Sequence, residues 1–285
     1  MKDIILVLSF LISTTNFSQS IDTMNVNFRG NDLYHIKKDT NSRVLIFLHG
    51  GVSNPLFDDT SKVFELDLLL EGNKYLIPLV LENGYDLLIP VTNDSMNWLT
   101  NHKYCYENLL DYIDSSKIYD SKFISGFSDG GTGSFKIFYN YPDSFQGLTV
   151  FNGYPQHENF YQEVNYEQIN NKMIAFFSTF EDKIIPYEFL LTEYCKQKKT
   201  NANTFFYVKE GRHSFDEYMK EEINLFIQIM TSKINNTQNE PIHAYMKGDE
   251  VQEFYPFRKK ICKRYCYGKK YYLINKEQAK QYNNK

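Results

Sequence analysis

A serine framed by glycines stands in the middle of the chain, in Gly126-Phe127-Ser128-Asp129-Gly130-Gly131. It follows the strand-like run Ser121-Lys122-Phe123-Ile124-Ser125 and leads into small residues and a helical pattern, Thr132-Gly133-Ser134-Phe135-Lys136-Ile137. G-x-S-x-G between a strand and a helix sets the serine on a sharp turn. Its hydroxyl is then exposed and the helix N-terminus is aimed at the group under attack. The chemistry implied is nucleophilic attack on a carbonyl. That reaction needs a base for the hydroxyl proton, an acid to orient the base, and backbone N–H groups for the oxyanion. The pattern fixes only three of five positions, so its meaning depends on those other parts.

Histidine titrates in the useful range for the base. Of six histidines, His213 stands in Glu210-Gly211-Arg212-His213-Ser214-Phe215, between the last apolar strand-like run and the last helical pattern. His35, His49, His102, His157 and His243 have no such placement, and a lone histidine is ordinarily a satisfied core or surface residue. The acid is expected between Ser128 and His213 in Phe180-Glu181-Asp182-Lys183-Ile184-Ile185-Pro186. The D-x-x-x-P register favours Asp182, with Glu181 the alternative; its task is to fix the tautomer of His213 and stabilise its cation. The oxyanion donors are expected to be the amide of Asp129, which follows the nucleophile, and that of Gly51 in His49-Gly50-Gly51, with Val52 the alternative to Gly51.

These residues need elements to hold them. Continuous apolar runs at Arg43–Leu48, Tyr85–Pro90, Ser121–Ser125, Gly147–Gly153, Lys172–Ser178 and Asn203–Val208 read as strands buried on both faces. Helical patterns cover Tyr75–Asn83, Tyr104–Ser116, Tyr187–Lys198 and Phe215–Ser232, and Met24–Phe28 is strand-like. Strands alternating with helices predict a mostly parallel sheet flanked by helices on both faces. Ligands in such sheets bind beyond the carboxyl ends of the strands. His49, Ser128, Asp182 and His213 all fall just past a predicted strand end.

The 285 residues suit one large domain with an appendage, and 42% hydrophobic residues suffice for a sizeable core. A net charge of -4 excludes the basic footprint of a nucleic-acid binder. Residues 1–20 read as a secretory signal: Lys2, an apolar stretch from Ile4 to Ile12, and the small-residue exit Ser18-Gln19-Ser20. The apolar stretch is too short to span a membrane, so a secreted or periplasmic protein is expected, with residues 21–233 as its main domain. Residues 234–285 form a basic extension carrying 11 Lys/Arg against 5 Asp/Glu, a surplus of six that leaves minus ten for residues 1–233. Contact with an anionic envelope surface is one reading of that extension, and a strand pair or loop packed on the acidic core is the other. Cys105, Cys195, Cys262 and Cys266 permit three disulfide connectivities. Cys262 and Cys266 lack the second ligand pair of a zinc site. No cofactor or metal is called for.

Taken in chain order, His49-Gly50-Gly51, Gly126-Phe127-Ser128-Asp129-Gly130-Gly131, Asp182-Lys183-Ile184-Ile185-Pro186 and the Gly211/His213 segment resemble the secreted α/β-hydrolase esterases. That group includes carboxylesterase/phospholipase, feruloyl-esterase and polyhydroxyalkanoate-depolymerase types. The resemblance covers residues 43–232 and stops short of the extension. Arg212 departs from it, standing where such enzymes often have glycine before the histidine. The resemblance implies an α/β-hydrolase fold and an acyl-enzyme mechanism on Ser128, Asp182 and His213 acting on a small-molecule or polymer-borne ester. Gly130-Gly131 also occurs in prolyl-oligopeptidase-like peptidases, which keeps a peptide substrate open. A catalytically silent binding protein is the reading from a different class. Trp98, Tyr154 and Phe160 are candidate cleft aromatics, with core packing the alternative.

Overall fold

The computed structural model describes residues 22–29, 31–38, 41–51, 73–91, 98, 102–116, 119–154, 165–200, 203–231, 243–247, 250–252, 255–259 and 270–274. The expected signal, Val52, His157, Phe160, Cys262 and Cys266 lie outside them, as do the side chains of His102, Cys105 and His243.

The strands are β1 (Asp22–Phe28), β2 (Asn31–Lys37), β3 (Arg43–Leu48), β4 (Tyr85–Pro90), β5 (Ser121–Phe127), β6 (Gly147–Phe151), β7 (Met173–Thr179), β8 (Asn203–Lys209), β9 (His243–Lys247) and β10 (Glu250–Gln252). They form one sheet in the order β1-β2-β4-β3-β5-β6-β7-β8-β9-β10. From β4 to β9 every pairing is parallel. β1 and β2 add an antiparallel hairpin at one edge, and β10 pairs antiparallel with β9 at the other. Part of the basic extension therefore continues the main sheet. Its remaining described backbone is a separate antiparallel pair, β11 (Tyr255–Lys259) with β12 (Lys270–Ile274), and β12 runs beside the helix Tyr187–Gln197.

Successive side chains of a strand point to opposite faces, so a strand covered on both sides must be apolar at every position. β3 shows this directly. Val44, Ile46 and Leu48 enter the core under α2 (His102–Ser116), α3 (Asp129–Asn140) and α4 (Tyr187–Gln197), while Leu45 and Phe47 enter the core under α1 (Leu76–Glu82) and α5 (Lys220–Thr231). Among the described residues, no helix is long and apolar enough to cross a membrane.

The last helix departs from the sequence expectation. In place of a helix over Phe215–Ser232 there is a short 3₁₀ turn at Phe215–Glu217, an extended Tyr218 (φ -86°, ψ 100°) and then α5. The cause is remote in sequence. The Asn73 side-chain amide donates to the carbonyls of Phe215 (3.1 Å) and Tyr218 (2.8 Å), pinning a tight turn in which the Tyr218 amide bonds the Phe215 carbonyl (3.2 Å). Glu222 then reaches back to the amide of Met219 (2.9 Å), a capping contact that starts α5.

α3 packs against the sheet through residues without side chains. A Cβ on Gly130 would lie 2.1 Å from the Leu48 carbonyl oxygen and 2.3 Å from that of His49; on Gly126 it would lie 2.4 Å from the Gly130 oxygen. Those obstacles are backbone and cannot swing away. Gly130→Ala should therefore lose about 3 kcal/mol or more of stability. Gly51→Ala, whose added methyl meets nothing nearer than Asp129 Cβ at 3.9 Å among the described residues, should stay within about 0.5 kcal/mol of the parent. Chemical denaturation of the two variants checks this contrast, and equal stability would contradict it.

Candidate active site

Ser128 follows β5 directly, with φ 55° and ψ -119°. A non-glycine residue there is strained, by about 1–3 kcal/mol, and persists only where its surroundings fix it. Here they do so at both ends: the Ser128 amide donates to the Phe151 carbonyl (2.9 Å), and the Ser128 carbonyl accepts from the amide (3.0 Å) and hydroxyl (3.2 Å) of Thr132. The turn lifts the side chain above the carboxyl ends of the strands. His213, in the loop after β8, brings Nε2 to 2.7 Å from Ser128 Oγ, and its Nδ1 lies 2.6 Å from Asp182 Oδ2. A carboxylate only accepts, so Nδ1 carries the proton and Nε2 is free to accept from the serine hydroxyl.

Three residues 54 and 31 positions apart in sequence are thereby joined in one hydrogen-bonded chain, because each sits just beyond a strand end on the same edge of a parallel sheet. Glu181, the alternative acid, is exposed, and its amide donates to the Gly211 carbonyl (3.0 Å). Arg212, the departure from the expected glycine, does not disturb the loop. Its amide donates to Glu217 Oε1 (3.1 Å) and its carbonyl accepts from the Thr179 hydroxyl (2.9 Å). Gly211, at φ 140°, takes the backbone conformation that a side chain would strain. The Phe127 ring packs 5.1 Å from the His213 ring and holds its plane.

Asp182 is buried and surrounded by donors. Oδ1 accepts from the amides of Ile184 (2.8 Å) and Ile185 (2.7 Å), and Oδ2 accepts from Asn152 Nδ2 (2.6 Å) as well as from His213. Burial pushes its carboxyl up, but the hydrogen bonds from His213, the Ile185 amide and Asn152, with the charge of His213, outweigh burial and hold it below the ordinary carboxylate range.

Asp129 is the first residue of α3, so its amide has no carbonyl four residues back within the helix. Its side chain turns aside to accept from the Trp98 amide (3.1 Å), and burial raises that carboxyl against the pull of this bond. The loop after β3 runs across the elbow. A Cβ on Gly50 would sit 3.5 Å from Ser128 Cβ, and one on Gly51 3.9 Å from Asp129 Cβ. Gly50 thus lies beside Ser128, and Gly51, one of the two residues expected to supply an oxyanion amide, lies beside the other, Asp129. Trp98 is not a cleft aromatic: it is 3% exposed, and its indole N–H donates to the His49 carbonyl (3.0 Å), bracing this loop from beneath. Tyr154 is half-buried edge-on to Phe189, with ring centroids 4.5 Å apart.

Sequence reasoning missed Asn152, Thr179 and Tyr218. The Asn152-Gly153 pair at the end of β6 was the one local signal, a turn dipeptide where a strand was expected to continue. Among the described residues no group of three His, Cys, Asp or Glu could hold a metal ion. Cys195 carries a free thiol, which burial pushes up to about 11.

No family model matches the sequence, and no curated protein matches it. Solved structures do match the fold. The S-formylglutathione hydrolase FrmB of Staphylococcus aureus is 14% identical, with a TM-score of 0.53 over 75% of this chain and 96% of that one. FphF, a fluorophosphonate-binding serine hydrolase of the same organism, is 16% identical, with a TM-score of 0.55 over 75% and 99%. The chain has the α/β-hydrolase fold. An acylaminoacyl peptidase of Pyrococcus horikoshii (15% identical, TM-score 0.54) shares it over 77% of this chain but only 43% of its own. In this α/β-hydrolase fold the strand order β1-β2-β4-β3-β5-β6-β7-β8 places the elbow at the centre of the sheet, and β9 and β10 extend its far edge.

His49 makes the loop sensitive to acid. Burial lowers its imidazole to about 4, against a smaller opposing pull from the Gly50 carbonyl, which accepts from Nδ1 at 2.6 Å. Because the unfolded chain protonates this histidine near pH 6.5 and the folded one does not, stability is full above that pH and falls as pH drops toward 4. The loss amounts to about 3 kcal/mol. Asp182 works in the same direction at lower pH, its depressed carboxyl losing its contribution on protonation. Denaturant titrations at pH 7 and 4.5 should show His49→Asn losing clearly less stability than the parent. Parallel losses would show that His49 does not set this slope.

Proposed function

We propose that the protein is an exported serine hydrolase that cleaves a carboxylic ester through an acyl-enzyme. The observation that carries this reading is the continuous chain Ser128 Oγ, His213 Nε2, His213 Nδ1 and Asp182 Oδ2, with links of 2.7 and 2.6 Å. Ser128 Oγ attacks the ester carbonyl carbon while His213 Nε2 takes its proton. The amides of Asp129 and Gly51 receive the oxyanion, and Asp182 stabilises the imidazolium. His213 then returns the proton to the departing alcohol, leaving the acyl group on Ser128. Water, deprotonated by the same nitrogen, attacks that acyl carbon, and the acid leaves as Oγ regains its proton.

Complete occupancy of nucleophile, base and acid favours turnover over a binding role. Proteins of this fold are named a serine hydrolase, an esterase and an acylaminoacyl peptidase, which supports hydrolysis, and the resemblance of the site segments to esterases favours the ester. Export rests on the three-part N-terminus, and protein recovered from the culture medium should begin after residue 20.

A fluorophosphonate probe should label the purified protein, and Ser128→Ala should abolish labelling. With p-nitrophenyl esters, Asp182→Asn should lower kcat by about 10⁴-fold, because an amide imposes the wrong histidine tautomer. Absence of labelling in the parent, or equal labelling of Ser128→Ala, would sink the reading. Cleavage of aminoacyl or prolyl anilides with negligible ester hydrolysis would make it a peptidase instead.

A further inference from the structure

We propose that Asn152, held by Tyr218 and Thr179, is a positioning residue that fixes the Asp182 carboxylate for His213. The inference rests on the serine hydrolase reading and assigns roles to three residues outside the triad. Asn152 lies just past β6, buried, with φ 45°. Its Nδ2 group donates to Asp182 Oδ2 (2.6 Å) and to Thr179 Oγ1 (2.9 Å), and its Oδ1 accepts from the Tyr218 hydroxyl.

Donors and acceptors in this cluster admit one arrangement. Thr179 gives its hydroxyl proton to the Arg212 carbonyl (2.9 Å), so its oxygen faces Asn152 as an acceptor. The Asn152 amino group must therefore point to Thr179 and Asp182, which turns Oδ1 to Tyr218. Tyr218 is fully buried, and burial together with nearby Asp182 holds its phenol well above its ordinary range, so it remains a donor. It is wedged by Phe151 at 4.9 Å and cannot turn away. The acid after β7, the backbone preceding His213 and the segment before α5 are tied through one asparagine side chain. A network with every member satisfied is rigid, and removing one partner frees several.

The φ of 45° also favours glycine, asparagine or aspartate at this position. Aspartate fits the space but sets a second carboxylate against Asp182, where two neighbouring charges cannot both be accommodated without shifting the titration of the group they face. The other titratable groups around the network include Tyr207, Glu217 and Glu222, the last paired with Lys209 (3.1 Å).

The test is an NMR titration of the His213 ring in the parent, Asn152→Asp and Tyr218→Phe, paired with the fluorophosphonate labelling rate across pH. Asn152→Asp should raise the His213 midpoint by about one pH unit or more and move the acid limb of labelling with it. Tyr218→Phe should stay folded and label about tenfold more slowly at neutral pH, as a displaced acid would cause. An unchanged His213 midpoint in Asn152→Asp would overturn the proposal. If that variant does not fold, a Tyr218→Phe labelling rate within about twofold of the parent does so. Failure of the parent to label would sink the hydrolase reading instead, while the ring titration still reads the network directly.

Discussion

A carboxylate taken out of water must be met by hydrogen-bond donors on every side or it neutralises, and neutral Asp182 could not steady a charged histidine. That requirement organises the carboxyl edge of this sheet. Two of the four donors come from the acid's own loop, the amides of Ile184 and Ile185, and are available wherever that loop folds. The other two, Asn152 and His213, come from the ends of β6 and β8 on either side of β7. The strand order therefore decides whether the charge can be buried, and the buried charge in turn fixes where the histidine points.

Ser128 depends on a different constraint, close approach. Ser128 can occupy its strained conformation because α3 is pressed so near β3 and β5 that only glycine fits at Gly126 and Gly130. The same proximity brings the loop after β3 over the first turn of α3, with Gly51 next to Asp129 and Trp98 beneath, its N–H groups occupied by His49 and Asp129. The Ser128 turn and the Gly51 loop beside it are thus products of one packing contact, whereas Asp182 and His213 are held by one hydrogen-bond cluster. The serine and histidine meet where the two assemblies join.

Most of this was legible in the sequence where chemistry coincides with local pattern. The apolar runs ending at His49, Ser128, Asp182 and the His213 loop announced a parallel sheet and the order of its site, since a doubly buried strand must be apolar throughout. Legibility stopped where a role depends on a distant partner. The helix expected from Phe215 begins at Lys220 because Asn73, more than 140 residues earlier, captures two carbonyls. Asn152 and Tyr218 look unremarkable in the sequence because their significance lies in donors and acceptors that only the sheet order brings together. Trp98, open in the sequence to either a cleft or a core place, takes the core place for the same reason.

The most direct test of the account is to trap the acyl-enzyme. A brief pulse with a p-nitrophenyl ester, acid quench, digestion and mass spectrometry should find one acyl group, on the peptide containing Ser128, with accumulation abolished in Ser128→Ala and sharply slowed in His213→Ala. Ester hydrolysis with no acyl group on Ser128, or an acyl group on another residue, would contradict it.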